Sequence, residues 1–389
     1  MTSRAAASQR QFQFHDRIAE LDARQWNALA GNQPFLQHAF LLALEETGCV
    51  GGDTGWQPLY AAIHQTGQLR AAMPLYLKYH SWGEYVFDWA WADASERAGL
   101  PYYPKLLSAI PFTPVPGARL LAEQGEDATE LLQQVLGMAG EAELSGLHCL
   151  FPRAEDDAHF ERAGLLRRQG LQFHWLNRGY ADYEAFLAAL NHDKRKKLRQ
   201  ERRKVRDAGL TIVRKHGAAI SAEDWAFFDR CYQHTYQAHR SSPYLNLDFF
   251  LRLGRDLPEA CLLVLAYRDG QPIAAALNLL DGERLYGRYW GALEYVPNLH
   301  FELCYHQGIE FAIERGLQAF EGGAQGEHKL ARGFEAVATH SWHWLAQPQL
   351  AGAVARFLAR EGQGMDHYLS ELDERAPFRS ADSRPGDLP

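Results

Sequence analysis

The spacing of apolar positions changes period along this chain, and each change marks an element. Residues 182–208 read as helix, with Asp182 and Asp193 as caps or breaks and Gly209 as the stop. LTIVRKH follows as a strand, and Ser221-Ala-Glu-Asp opens a helix with a capping-box pattern. CLLVLAY, PIAAALNLL and RLYGRYWGAL are β-rich runs separated by turns. HFELCYHQGIEFAIERG returns to helical spacing, with Phe301, Tyr305, Gly308 and Ala312 along one face, and AFEGG reads as a strand entering a glycine-rich loop. Strands, then a helix, then a strand predict an α+β domain with a mixed sheet. Residues 349–375 read as a terminal helix, and the polar, Pro/Gly-containing 376–389 as a flexible tail.

The first half carries a similar pattern. QPFLQHAFLLAL, starting at Gln33, aligns with SPYLNLDFFLRL, starting at Ser242, pairing Pro34 with Pro243, Phe40 with Phe249 and Leu44 with Leu253. LYAAIHQTGQLRAAMPLYL, from Leu59, then parallels LVLAYRDGQPIAAALNLL, from Leu263, with Gly67-Gln68 facing Gly270-Gln271. Two matches in the same order point to an internal duplication, each copy a helical segment followed by a two-strand hairpin. The expected division is a first domain over 1–174 and a second over 175–348.

Composition narrows the class. With 389 residues, 47% hydrophobic and 23% charged, the chain has the balance of a globular protein. It contains no run of ~18 apolar residues, so no membrane-spanning helix is expected, and its start lacks the apolar core of a signal peptide. Five cysteines without CxxC spacing argue against a disulfide framework or zinc knuckle and fit a cytoplasmic protein. Net charge is −8, but unevenly spread: KRKKLRQERRKVR, from Lys194 to Arg206, holds nine basic residues and the single acid Glu201. That element reads as a solvated helix face, as a site for the phosphates of a nucleotide-bearing donor, or as a contact with the backbone of tRNA.

Candidate chemistry concentrates between Arg284 and His343. Arg288, Tyr289 and Trp290 lie within a β-rich run, and GAQGEHKLARGF sets Gln325, Glu327, His328, Lys329 and Arg332 among three glycines, where a backbone can approach a ligand closely. The bland alternative is a solvated loop. In the first half, Trp82, Trp89 and Trp91 with Tyr76, Tyr79 and Tyr85 surround Lys78, Asp88 and Asp93; packing into core or interface is the favoured reading there. Metal chemistry is not expected: HExxH is absent, although Glu302, His306 and Glu310 share a helical face. GxSxG is absent too, and Cys304 reads as a buried, inert thiol.

LYGRYWG, LHFELCYHQGIE and GAQGEHKLARGF, with GEYVFDWAWADA and YYPKLLSAIPFTPVPGARLL in the first half, resemble the FemAB-like family of N-acyltransferases within the GNAT superfamily. The resemblance spans roughly Gln33 to Glu361. It implies two tandem GNAT-like α/β domains with mixed sheets flanked by helices, and transfer of an acyl or aminoacyl group to an amine. FemAB relatives use aminoacyl-tRNA to build peptidoglycan cross-bridges, whereas typical GNAT enzymes use acyl-CoA. The GNAT pyrophosphate turn, R/Q-x-x-G-x-G/A, has no counterpart here, because Glu294 to Glu302 contains no glycine; either donor therefore stays open.

On this reading Glu327 or Glu302 is the base, His328 a proton carrier and Tyr305 the acid for the leaving group. Gln325 or a backbone N–H would serve the oxyanion. Arg288, Trp290, Lys329 and Arg332 would hold substrate or donor, and Lys196, Lys197, Arg202 and Arg203 would extend the donor's footprint. A non-catalytic tandem module that recognises a cell-wall precursor or peptide is the alternative.

Overall fold

The computed structural model describes residues 10–323, 326–374 and 377–378. The chain forms two compact units: one runs to Gly170 and takes back Thr339–Met365, while the other comprises Leu171–Ala338 and resumes at Asp366. Both are mixed α/β. The sequence places the division after residue 174 and assigns 339–348 to the second domain. In the structure the crossings fall inside two strands and one helix, where no change of composition marks them.

In chain order the strands are β1 (Arg10–His15), β2 (Trp56–Gln65), β3 (Gln68–Lys78), β4 (Lys105–Ser108), β5 (Leu121–Ala122), β6 (Gly146–Leu150), β7 (Leu166–Leu176), β8 (Thr211–His216), β9 (Cys261–Arg268), β10 (Gln271–Leu280), β11 (Arg284–Ala292), β12 (Ala319–Glu321) and β13 (Glu335–Leu345).

In the first unit, β1 to β4 pair antiparallel in sequence, β4 pairs parallel with β6, and β6 pairs antiparallel with Ser341–Leu345 of β13. Its core lies under the helix Gly125–Glu141, whose Leu131, Leu132 and Val135 meet Ile63, Met73 and Leu75 from the hairpin. The second unit repeats the scheme. β8, β9, β10 and β11 pair antiparallel in sequence, β11 pairs parallel with β12, and β12 pairs antiparallel with the last residues of β7.

The two hairpins bear out the alignment in detail. Thr66-Gly67 turns β2 into β3 with φ of 55° and 77°, and Asp269-Gly270 turns β9 into β10 with φ of 49° and 78°. Two successive positive φ values are the signature of the type I′ turn, whose twist matches that of the flanking strands.

The expected helix 182–208 is two helices, Tyr183–Ala189 and His192–Asp207. Asp182 caps the first as expected; the second is capped by Asn191, whose side chain accepts from Lys194 N–H, and not by Asp193, which lies inside the first turn. The inward face of the second helix is narrow, with Leu198, Glu201 and Val205 buried and the cations outside.

Residues 299–314 are helical but widen into a π turn at Glu302–His306. Gly308, just beyond it, lets this helix press onto β12: a β-carbon there would lie 2.5 Å from the Phe320 ring. No helix among the described residues is long and apolar enough to cross a membrane.

Candidate functional site

Pairing between β11 and β12 ends at Tyr286 and Glu321. Beyond that point β11 continues against β10 alone, with a bulge opposite Leu277 and Asn278 that leaves Arg288 out of register. Bulges bend a strand and re-aim a side chain. At this opening between the two strands Gly322 and Gly323 follow β12, and Glu327–Arg332 forms a 3₁₀ turn.

Lys329 is 3% exposed, and its ammonium donates to the Gly323 carbonyl at 2.9 Å. With burial opposing its charge, its pKa is pushed down to about 8. His328 and the Tyr305 hydroxyl lie 3.0 Å apart, beside His300 and Phe301. Burial and the nearby Arg332 and Lys329 lower the imidazole's pKa, while burial raises that of the phenol. At neutral pH the pair is thus an uncharged imidazole and an uncharged phenol, one hydrogen bond apart.

Other expected members have different surroundings. Glu327 is exposed and accepts from Tyr368 at 2.5 Å. Arg332 is buried: its guanidinium makes a two-point bond to Glu201, at 2.7 and 3.2 Å, lies 3.4 Å over the Phe301 ring and donates to the His328 carbonyl at 2.7 Å. It acts as a pin between elements. Arg288 donates to the Tyr289 hydroxyl at 3.1 Å, and the Trp290 ring packs edge-on to His300. Gln325 lies outside the described residues.

Glu302 occupies a separate place. It lines a groove of about 930 Å³ between the helices Tyr183–Ala189 and His192–Asp207, with Lys196, Arg202 and Arg203 also in its wall. The π turn separates Glu302 from Tyr305, which does not line the groove although only three positions away. Arg202 reaches Glu302 at 3.2 Å and Glu310 at 2.8 Å. Lys197 is exposed and does not line the groove.

Three buried residues escaped the sequence reading. Glu321, where β11 and β12 part, is 4% exposed; it accepts from Arg284 at 3.2 Å, while its Oε2 has no hydrogen-bond partner. Burial pushes its pKa up to about 7, with Arg284 opposing. His174, its cross-strand neighbour at 3.9 Å, is pushed down to about 3 by burial, Arg284 and Lys329, so it is neutral and no ion pair forms. Glu201 takes Arg332 on one side and His306 at 3.2 Å on the other; His306 in turn meets the Tyr183 hydroxyl at 2.7 Å. The available signals were an acid directly before Gly322-Gly323, and the lone acid within a run of cations.

Among the described residues no group of three or more His, Cys, Asp or Glu side chains could hold a metal ion. No curated protein matches the sequence. Solved structures do resemble the fold. The C-terminal domain of a protein described as a lysylphosphatidylglycerol synthetase from Agrobacterium fabrum superposes with a TM-score of 0.53 at 12% identity, covering 88% of this chain and 97% of that one. FemX gives 0.52 at 12% identity, covering 85% and 97%. A tandem GNAT protein from the clavulanic acid biosynthesis pathway gives 0.44 at 12%, covering 87% and 99%. At these identities the likeness concerns the fold alone: two mixed α/β units in one chain. The sequence itself matches the FemAB-like family, described as peptidoglycan biosynthesis/recognition, over residues 17–380. With nearly the whole chain inside that match, this protein belongs to the FemAB-like family.

Proposed function

We propose that the protein transfers an acyl or aminoacyl group from an activated ester or thioester to an amine, at the opening between β11 and β12. The observation that supports this reading is the buried Lys329 ammonium beside the uncharged His328–Tyr305 pair. Acyl transfer needs a proton acceptor for the attacking amine, a donor to the oxyanion and a proton for the leaving atom.

The amine nitrogen attacks the carbonyl carbon, and the π electrons move to oxygen, where the Lys329 ammonium stabilises them. His328 takes the amine's proton at Nδ1 and passes the proton on Nε2 to Tyr305, which gives its own to the leaving oxygen or sulfur. Collapse of the tetrahedral intermediate breaks the old bond and leaves an amide. Glu302 is set aside as the base because it faces the basic groove, and exposed Glu327 because Tyr368 engages it.

On this reading the acceptor is an amine-bearing wall precursor and the donor aminoacyl-tRNA or acyl-CoA, both met in the cytoplasm; the family's description as peptidoglycan biosynthesis/recognition supports the choice of acceptor. The test is to incubate the protein with each donor and UDP-linked wall precursors, reading products by mass spectrometry. Transfer by the wild type and its loss in Lys329→Met support the reading. Donor binding without product in the wild type would replace transfer by recognition alone.

A further inference from the structure

The groove beside the basic helix has a composition that a patch for bare anions does not require. Its wall carries six cations against two acids, Glu184 and Glu302. Arg199 is taken by Glu184 at 2.5 Å and Arg202 by Glu302 and Glu310, but Arg195, Lys196, Arg203 and Arg206 make no ion pair among the described residues. At 1.5 Å per residue these four span about 16 Å along one helix side, room for two linked phosphates.

The groove also holds Leu187, Leu210 and Ile212, apolar surface on which a flat ring can rest. Glu302 supplies the other half. It is 4% exposed; its Oε1 accepts from Gln307 at 2.7 Å and lies 3.2 Å from Arg202, while Oε2 has no hydrogen-bond partner. An unmet buried carboxylate oxygen costs free energy until a donor reaches it. Phosphates cannot serve, being acceptors; a hydroxyl can. Phosphates, a hydroxyl donor and an apolar ring coexist in a nucleotide, and a carboxylate that accepts from a ribose hydroxyl is an established way of holding one.

We propose that this groove binds a ribonucleotide, with its phosphates on Arg195, Lys196, Arg203 and Arg206, its base against Leu187, Leu210 and Ile212, and a ribose hydroxyl donating to Glu302 Oε2. The site deepens the transferase reading and rests on it for the expectation that an activated donor docks on this unit. It lies on the helix His192–Asp207 and on β8, not on the strand-to-helix turn at Glu294 to Glu302. The chemistry is shared by coenzyme A and by the 3′ end of an RNA. A membrane surface is disfavoured, since an acid on the groove wall opposes anionic headgroups and the cation-bearing helix buries its only apolar side chains, Leu198 and Val205.

Isothermal titration of the full chain, without turnover, tests this. ADP should bind, and 2′,3′-dideoxy-ADP should bind about tenfold or more weakly, the worth of one hydrogen bond to a charged acceptor. Glu302→Leu should remove that difference, and Lys196→Gln with Arg203→Gln, both exposed, should weaken both ligands together. The two-ligand comparison on the unaltered protein needs no variant to fold. Coenzyme A and a short RNA ending in CCA, each competed against ADP, tell the sources apart, and displacement by either supports the site. Inorganic pyrophosphate binding as tightly as ADP, equal affinity for ADP and its dideoxy analogue, or no ADP binding at millimolar concentration would overturn it. Because binding is read directly, failure here leaves transfer untouched, and absence of transfer leaves the site standing.

Discussion

Glu201 is the residue whose removal should be felt most widely in the second unit. Its carboxylate is 5% exposed and holds the buried Arg332 guanidinium through two hydrogen bonds, with His306 on its other side. Glu201→Ala leaves that guanidinium uncompensated, and breaking a buried pair from one side costs about 3–5 kcal/mol. For a unit of this size each kcal/mol corresponds to about 2–4 °C in Tm, so a fall of about 6–20 °C is expected. Replacing both partners, as Glu201→Leu with Arg332→Met, removes the orphan charge and should recover much of the loss.

The pH dependence has a definite sign. Hydrogen bonds and the Arg332 charge hold the Glu201 pKa below its ordinary value against the opposing effect of burial. Its contribution is therefore complete above the unfolded carboxylate range and fades as pH falls through the folded value. Differential scanning calorimetry between pH 2 and 7 reads both effects. A Glu201→Ala protein melting within 1 °C of wild type at pH 7, or a double replacement no better than the single, would refute the role of the pair.

Other expectations follow from the same geometry. If the Lys329 ammonium steadies the oxyanion, kcat/KM should fall as pH rises through about 8, and Lys329→Arg should move that limb out of the measurable range. In the first unit the buried Lys105 ammonium holds Glu84 at 2.9 Å and also Asp88. Lys105→Met should cost about 3–5 kcal/mol in denaturant unfolding, and a cost under ~1 kcal/mol would mean the acids take up protons at no expense. Gly308→Ala drives a methyl into the Phe320 ring, so a loss of about 1–3 kcal/mol is expected, and an unchanged melting curve would show that the helix can shift outward.

Local signals carried much of the fold. Asp269-Gly270 and Thr66-Gly67 bring together strands that adjoin in sequence, and the capping box at Ser221 closes within one turn. The family resemblance and the mixed α/β class were legible for the same reason, through runs of contiguous residues. The site was less so, because its members meet through tertiary packing. Periodicity sets Tyr305 with Phe301 and Gly308, and Glu302 with His306 and Glu310, but says nothing of the groove that Glu302 lines or of the imidazole that Tyr305 meets. His174 and Glu321 come together through strand pairing, although 147 positions apart in sequence. Glu201 looked like an exception among cations until its helix was seen to turn that one carboxylate inward.

The division of the chain also sets the order in which its parts can be finished. β6 of the first unit is flanked by residues of β13, and His148 meets His343 across 195 positions of sequence. At ~5–20 residues per second, the ribosome delivers that partner strand ~10–40 s after β6 has emerged. Throughout that interval β6 offers an unpaired edge, which is a template for pairing with other chains. The first unit begins first yet closes only after nearly all of the second has been made, so a fragment ending at Gly170 should aggregate rather than fold.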